Sequence, residues 1–430
     1  MNYEIDLQHK KLHGSIAVPP SKSHTLRAIL FASLAEGMSK IENYLTSPDT
    51  TAMLHACRQL GAKIQQTEGE LIIQGVNFKP KCPDDVLDAG NSGQVLRFVA
   101  AIAAALVQDY TVITGDHSIR FQRPMQPLID GINQLGGFAA ASKNDGRAPI
   151  IVRGLLSAGQ AKILGTDSQP VSALLMAAAF VTGETTIEVL EPGEVPWVSL
   201  TLSWFDRLGV RYTQENFSHY KVVGPVRYQG FHYRVPGDFS SAAFPIAAAL
   251  VTQSNISLEN IDMQDVQGDK ALIPALEKMG AEFSYDEKKQ VLHVKGASAL
   301  QGMPINVNDF IDAVPILATI GCYAKGKTEI VEAAIARLKE SDRIKVMADE
   351  LSKMGATISA TADGLTVESS ALKGARVYSH HDHRIAMALT IAALRAKGKT
   401  IVENTACVAK SYPNFVASLQ ALGAEIRVIP

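Results

Sequence analysis

The chain repeats one short sequence marker six times along its length. The marker is a Leu-Gly or Met-Gly pair followed by a small residue and a predicted apolar strand. It begins at Leu60, Leu135, Leu208, Met279, Met354 and Leu422. Successive markers are separated by 75, 73, 71, 75 and 68 residues. This regular spacing indicates that one unit of about seventy residues has been copied six times.

A second marker, a polar turn followed by small and apolar residues, keeps the same spacing. The six turns begin at Ser21, Asn91, Asp167, Asp238, Asp309 and His381. In the run 168–180, a capping Ser precedes residues rich in Ala, Leu and Met, which predicts a helix. Because that helix is apolar on every side, it must be buried.

Each repeat also predicts a second, amphipathic helix and several strands. Residues 342–354 place Ile344, Met347, Ala348, Leu351 and Met354 on one helical face. The Gly that follows is typical of a left-handed helix end. Strands are predicted after the glycines at 183, 326 and 398. The fold class is therefore α/β, with helices packed against sheets.

The polar turns also suggest a function. The amino terminus of a buried helix has unpaired N–H groups and a positive dipole end, which together bind anions. The turns and the first helical residues behind them hold Lys22, Ser23, Arg27, Asn91, Arg97, Ser168, Gln169, Asp312, Asp382 and Arg384. Basic residues inside otherwise uncharged helices favour a small substrate with several negative charges. The alternative is that each Ser, Asn or Asp is only a helix cap.

Composition excludes several classes of protein. The net charge of −2 argues against a nucleic-acid or membrane surface. The stretch 1–11 has no apolar core for a signal peptide, and the longest apolar stretch, 98–107, is too short to span a membrane. Four widely spaced cysteines predict reduced thiols in the cytoplasm. The repeats divide three plus three near residues 226–236.

Eight motifs occur in an order that resembles the 5-enolpyruvylshikimate-3-phosphate (EPSP) synthase family from about Leu12 to Ala424. They are Lys22-Ser23 with Arg27, Gly90-Asn91-Ser92-Gly93 with Arg97, Gly115-Asp116 with Arg123-Pro124-Met125, Ser168-Gln169, Gly237-Asp238-Phe239-Ser240-Ser241, Lys339-Glu340-Ser341-Asp342-Arg343, Asp382-His383-Arg384 and Ala409-Lys410. The resemblance implies two lobes, each of three βαβαββ units about a pseudo-threefold axis. Lobe I would comprise residues 1–20 and 236–430, and lobe II residues 21–235.

The resemblance also implies a reaction. Members of the family transfer the enolpyruvyl group of phosphoenolpyruvate to the 5-hydroxyl of shikimate 3-phosphate and release phosphate. By resemblance, phosphoenolpyruvate would be bound by Lys22, Gly93, Arg123, Gln169, Arg343, Arg384 and Lys410. Shikimate 3-phosphate would be bound by Lys22, Ser23, Arg27, Ser168, Gln169, Asp312 and Lys339. Glu340 would be the acid, Asp312 the base and Lys22 a third catalytic residue.

The same resemblance implies a cytoplasmic monomer that acts on small molecules without a cofactor or a metal. His380, His381 and His383 are adjacent, so they would point apart on a strand, and no spaced Cys or carboxylate completes a metal site. The acid and the base would each need a pKa tuned by neighbouring groups to act near neutral pH.

Several residues depart from the usual family pattern around the acceptor. Asp167, Glu194 and Trp197 stand where Ser, Ser and Tyr are usual, and Ile335 replaces an Asn. Gln94, which replaces a Thr, is a smaller departure near the phosphoenolpyruvate side. Two carboxylates where a phosphate would bind conflict electrostatically unless a cation pairs with them. One alternative is therefore a related enzyme that acts on an unphosphorylated cyclic hydroxy acid.

Two further alternatives are weaker. The sister family of UDP-N-acetylglucosamine enolpyruvyl transferases uses a loop Cys, but none lies near Arg123. An inactive repeat scaffold would not need Glu340, Asp312 and five cations.

Overall fold

The chain divides into two compact units. The computed structural model describes residues 1–6, 11–296 and 299–430. One unit comprises Met1–Pro20 and Pro236–Pro430, and the other comprises Ser21–Val235. We call the first the discontinuous unit and the second the continuous unit. Residues 7–10, part of the amino-terminal stretch without an apolar core, lie outside the described residues.

The first segment of the discontinuous unit contains two strands, β1 (Asn2–Ile5) and β2 (His13–Ala17). The helices of the continuous unit are α1 (Lys22–Leu34), α2 (Pro48–Gln59), α3 (Gly93–Leu106), α4 (His117–Phe121), α5 (Gln126–Gln134), α6 (Ser168–Ala178) and α7 (Val195–Leu208). Its strands are β3 (Met38–Glu42), β4 (Lys63–Thr67), β5 (Glu70–Gln74), β6 (Leu87–Asp88), β7 (Thr111–Thr114), β8 (Phe138–Ala141), β9 (Ile150–Arg153), β10 (Gln160–Leu164), β11 (Gly183–Leu190), β12 (Arg211–Glu215), β13 (His219–Gly224) and β14 (His232–Arg234).

The second segment of the discontinuous unit contains the remaining elements. Its strands are β15 (Asn255–Glu259), β16 (Glu282–Asp286), β17 (Val291–Lys295), β18 (Pro304–Asn306), β19 (Lys327–Val331), β20 (Thr357–Ala360), β21 (Leu365–Glu368), β22 (Arg376–Tyr378), β23 (Thr400–Glu403) and β24 (Ile426–Ile429). Its α-helices are α8 (Phe239–Val251), α9 (Leu272–Lys278), α10 (Val314–Tyr323), α11 (Arg343–Lys353), α12 (His383–Ala393) and α13 (Phe415–Ala421). Its 3-10 helices are Gly268–Ala271, Asn308–Ala313, Ala334–Leu338 and Thr405–Lys410.

The strands of the described residues form six four-stranded sheets. The continuous unit contains sheets of order β14-β3-β5-β4, β6-β7-β9-β8 and β10-β11-β13-β12. The discontinuous unit contains sheets of order β2-β15-β17-β16, β18-β19-β21-β20 and β22-β23-β1-β24. In the third sheet, β10 is parallel to β11, whereas β13 is antiparallel to both β11 and β12. The α/β class predicted from the sequence is confirmed.

Three of these sheets use a strand from a distant part of the chain. Strand β14 pairs in parallel with β3, and β2 pairs in parallel with β15. Strand β1 lies between β23 and β24 and is antiparallel to both. The discontinuous unit therefore includes the amino-terminal strands as integral parts of two sheets.

The helices predicted to be buried are buried in the cores of the two units. Every residue of α8 is buried, and α6 packs against α3 and α7. In the discontinuous unit, α8, α10 and α12 pack against one another. The predicted amphipathic helix is α11, which buries Ile344, Met347 and Leu351. The helices that the sequence predicts to be apolar on every side are therefore the central helices of the two units.

The predicted helix ends are also largely confirmed. The six marker glycines all have positive φ, from +71° at Gly209 to +106° at Gly61, as a left-handed helix end requires. Five of the polar turns provide helix caps, namely Ser21, Ser92, Asp167, Asp238 and Asp382. The turn at Asp309 does not. Phe310 there has non-helical φ and ψ, so Asn308–Ala313 forms a 3-10 helix and α10 begins at Val314 without a side-chain cap.

Candidate active site

In the continuous unit, three predicted site residues lie at the first position of a buried helix. Lys22 begins α1, Gly93 begins α3 and Ser168 begins α6. Each helix is capped by the residue before it, whose side chain accepts a hydrogen bond from the first turn. The remaining first-turn N–H groups and the positive helix ends favour anions at these positions.

Gly93, Arg123 and Gln169 come together around Arg97. Arg97 is fully buried, and its Nη1 donates to Oε1 of Gln169 at 2.7 Å. A Cβ atom on Gly93 would lie 2.7 Å from Arg97 Nη1, 3.0 Å from Gln169 Oε1 and 3.4 Å from Arg123 Nη1. The absence of a side chain at Gly93 therefore allows two guanidinium groups and an amide to approach the start of α3.

The acidic departures from the family pattern have identifiable partners. Asp167 Oδ2 lies 3.1 Å from Nη2 of the buried Arg97, and Asp167 Oδ1 accepts from the Gln169 N–H. Glu194 is also buried, and its Oε2 accepts from the N–H and the hydroxyl of Ser168 at 3.2 and 3.4 Å. The expected conflict is thus relieved at Asp167 by a cation, while Glu194 stabilises the first residue of α6.

Arg27 points into the interior of the continuous unit. Its Nε and Nη2 donate to Thr201 Oγ1 at 3.1 and 2.8 Å, and its Nη1 donates to the Ser23 carbonyl at 3.2 Å. Nη2 also donates to the Trp197 carbonyl at 3.4 Å. Burial lowers the pKa of Arg27 to about 9. Arg27 thereby connects α1 to α7, close to the backbone of Ser23.

Two neighbours complete the first turn of α1. Lys22 Nζ lies 3.4 Å from Oδ2 of the buried Asp49, and Gln94 Nε2 donates to Ser23 Oγ at 3.0 Å. Asp49 was not predicted as a site residue, although the Ser-Pro pair before it indicates a helix start. Gln94, in place of the usual Thr, links the first turn of α3 to Ser23.

In the discontinuous unit, the predicted acid and base, both partly buried, and three buried cations form one cluster centred on Arg343. Nη1 of Arg343 donates to Asp312 Oδ1 at 2.7 Å, and Nη2 donates to Glu340 Oε2 at 2.7 Å. Lys410 Nζ lies 2.7 Å from the other oxygen of Glu340, and Arg384 Nη2 lies 2.7 Å from Asp312 Oδ2. Each candidate catalytic carboxylate is therefore held by two cations.

Asp382 is a site residue that the sequence analysis placed in a turn but did not assign. It is fully buried, and its Oδ2 accepts from Arg343 Nε at 2.8 Å and from Ser341 Oγ at 3.0 Å. Its Oδ1 accepts from the Arg384 N–H as the cap of α12. Asp382 thus orients both arginines. Its cap position was visible in the sequence, but its partners depend on the tertiary fold.

The ion pairs change the pKa values of the cluster. Burial alone would raise the pKa of Asp312, but Arg384 and Arg343 outweigh it and hold that pKa well below the ordinary value. Burial would lower the pKa of Arg343, but Asp382, Glu340 and Asp312 together raise it. Asp312 is therefore an ionised carboxylate and a weak base in this arrangement. Its low pKa differs from the near-neutral pKa that we expected for a base of the reaction.

Lys339 is buried beside this cluster and contributes to the lowering of the Asp312 pKa. The neighbouring histidines have other partners: His380 Nε2 lies 2.8 Å from Glu350 Oε1, and His381 contacts Tyr378. Within residues 1–6, 11–296 and 299–430, no three His, Cys, Asp or Glu side chains are grouped as metal ligands would be. No helix in this same part of the chain has the length and apolarity to cross a membrane.

Comparison with known proteins gives a consistent result. A sequence model of the family described as EPSP synthase (3-phosphoshikimate 1-carboxyvinyltransferase) matches residues 7–419. The chain is 44% identical to a 3-phosphoshikimate 1-carboxyvinyltransferase of Chlamydia caviae, over 97% of this chain and 93% of that protein. It is 40% identical to the protein of the same name from Acetivibrio thermocellus, over 98% and 99% of the two chains.

A solved structure is similar over the full length. The EPSP synthase from Acinetobacter baumannii is 30% identical to this chain, covers 100% of both chains and gives a TM-score of 0.85.

Proposed function

Because this chain belongs to the EPSP synthase family, we propose that its two groups of buried site residues bind the substrates and exchange the protons of that family's reaction. The chain transfers the enolpyruvyl group of phosphoenolpyruvate to the 5-hydroxyl of shikimate 3-phosphate and releases phosphate. The observation that carries the assignment of roles is the cluster in which the buried Arg343, Arg384 and Lys410 hold Asp312 and Glu340.

Phosphoenolpyruvate has a carboxylate and a phosphate, which require several cations. We assign its binding to Lys22, Gly93, Arg123, Gln169, Arg343, Arg384 and Lys410. The planar arginine side chains suit bidentate contacts with both anionic groups, and the lysines add compact charge. In the continuous unit, the closeness of Gly93, Arg123 and Gln169 supports this assignment.

Shikimate 3-phosphate would be bound by Lys22, Ser23, Arg27, Ser168, Gln169, Asp312 and Lys339. Ser23 and Ser168 lie in the first turns of α1 and α6, where the positive end of the helix dipole favours an anion. Arg27 supports Ser23 through its backbone carbonyl. The pairing of Asp167 with Arg97 removes one reason to favour an unphosphorylated acceptor.

The chemical step transfers two protons. Glu340 gives a proton to the methylene carbon of phosphoenolpyruvate while the 5-hydroxyl oxygen bonds to the adjacent carbon, and Asp312 accepts the hydroxyl proton. The resulting tetrahedral intermediate then loses phosphate and returns a methyl proton to the Glu340 carboxylate, which restores the double bond. Bound phosphoenolpyruvate would compete with Glu340 for Arg343 and Lys410.

A phosphate-release assay tests the function directly. Phosphoenolpyruvate is supplied with either shikimate 3-phosphate or shikimate, and we expect phosphate release only with the phosphorylated acceptor. Release with shikimate and none with shikimate 3-phosphate would instead establish the unphosphorylated alternative.

The assembly and location of the enzyme are separate proposals. We infer a cytoplasmic monomer, consistent with four cysteines that are not paired in disulfides. Light scattering coupled to size-exclusion chromatography should give a mass near 46.2 kDa. A mass of twice that value would contradict the monomer.

A further inference from the structure

One buried carboxyl group, that of Asp269, has no role in the chemistry described above. It lies in the 3-10 helix Gly268–Ala271, and only 2% of the residue is exposed. The Ser240 hydroxyl donates to its Oδ2. Its Oδ1 is buried and has no hydrogen-bond partner within the described part of the chain. A buried oxygen without a partner costs free energy, so this carboxyl group is destabilising unless it is protonated or has a role in function.

The position of Asp269 is firmly fixed. Two residues earlier, the Gln267 side chain accepts from the Phe239 N–H at 3.1 Å and donates to the Gly237 carbonyl at 2.9 Å. The helix Gly268–Ala271 also packs against α8 and against Asn308–Ala313, which carries Asp312. The charged groups that act on Asp269 from these elements and from α12 are Asp312, Asp238 and Arg384.

Arg384 also has a buried atom without a hydrogen-bond partner within the described residues. Its Nη2 donates to Asp312 at 2.7 Å, but its Nε is buried and has no hydrogen-bond partner among the residues that the structure describes. The two residues are linked through Asp312, which pairs with Arg384 and lies on the 3-10 helix that packs against Gly268–Ala271. Arg384 and Asp269 also act on each other electrostatically.

We propose that Asp269 is a positioning residue of the reaction, which acts through Arg384 and sets how much positive charge Arg384 offers to phosphoenolpyruvate. The proposal rests on the proposed function of Arg384 as a ligand of that substrate. When Asp269 is neutral, the positive charge of Arg384 interacts only with Asp312 and the substrate. When Asp269 is ionised, its negative charge offsets part of the positive charge of Arg384, and substrate binding is weaker.

Asp269 loses its proton within the pH range in which the enzyme can be assayed. Burial and the Asp312 carboxylate raise the pKa of Asp269, Arg384 and the Ser240 hydroxyl lower it, and the net result is a pKa of about 7. As the pH rises through this value, Asp269 loses its proton. The KM for phosphoenolpyruvate should therefore increase as the pH passes from slightly acidic to slightly alkaline.

The test compares wild type with Asp269→Asn, which keeps the shape but cannot ionise. The KM for phosphoenolpyruvate is measured from about pH 6 to about pH 8, on either side of the titration. Between these two pH values, we expect the KM of wild type to rise about tenfold relative to the KM of the variant. A tenfold change corresponds to a difference of about one pH unit between the pKa of Asp269 with and without bound substrate. The ionisation of the substrate is common to both enzymes and cancels in the ratio. Asp286→Asn, at a partly exposed strand residue, is the matched control and should follow wild type.

A second variant tests the same proposal in case Asp269→Asn does not fold. Ser240→Ala removes the hydroxyl that lowers the pKa of Asp269, so the rise in KM should move to higher pH. Parallel KM profiles in wild type and Asp269→Asn, or an unmoved profile in Ser240→Ala, would overturn the proposal. If wild type releases no phosphate, the proposed function fails instead, and calorimetric binding of phosphoenolpyruvate at the same pH values decides the role of Asp269.

Discussion

At the scale of single residues, Glu340 is the sharpest test of the chemistry. Glu340→Gln keeps the side-chain shape and a hydrogen-bond acceptor for Arg343 or Lys410 but removes the proton donor. General acid catalysis contributes roughly 10²–10⁴-fold, so kcat should fall by about that factor while KM changes much less. Glu329→Gln, on the surface of β19, is the control and should keep wild-type kcat. Full activity in Glu340→Gln would exclude Glu340 as the acid.

A second residue-scale prediction concerns the Asp167–Arg97 pair. Asp167→Asn retains a cap for α6 but leaves the buried guanidinium of Arg97 without its carboxylate partner. We expect the free energy of unfolding to fall by about 1–3 kcal/mol, the usual cost of an uncompensated buried group. Urea denaturation measures this change. Unchanged stability would mean that Asp167 is not needed to neutralise Arg97.

At the scale of elements, the left-handed helix ends have a predictable cost of substitution. Gly209 has φ +71° after α7, and nothing lies within 4 Å of the position that a Cβ would take. Gly209→Ala should therefore lower the free energy of unfolding by about 1 kcal/mol through backbone strain alone. Gly159→Ala, where φ is not left-handed and the nearest atom is 3.9 Å away, is the control and should change stability much less. Equal effects of the two substitutions in urea denaturation would contradict this explanation.

The helices and strands also show which features could be predicted from the sequence alone. Apolar helices, amphipathic helices and glycine helix ends were predictable because each is determined by local composition and spacing. The 3-10 helix Asn308–Ala313 was not, because its break at Phe310 depends on backbone angles that no residue pattern there specifies. The partners of Asp49, Asp269 and Asp382 were also hidden, since they come from segments far apart in the chain. The motif residues themselves were found through family resemblance, and their roles stay proposals.

At the scale of the whole molecule, the continuous unit has the features of an independently folding domain. Ser21–Val235 is one uninterrupted segment and has its own buried core. Among the described residues, its strands β3–β14 pair only with one another. We therefore predict that residues 21–235 expressed alone unfold cooperatively on heating. The segment should have no turnover, because Asp312 and Glu340 lie outside it.

A shorter segment provides the control for this last prediction. Residues 21–209 end after α7 and lack β12, β13 and β14, so two sheets lose strands and β11 loses its antiparallel neighbour. Unpaired strand edges and an exposed core should then remove the cooperative transition. Calorimetry of both segments makes the comparison. A cooperative transition in the shorter segment, or none in the longer one, would show that strand pairing within the continuous unit does not determine its folding.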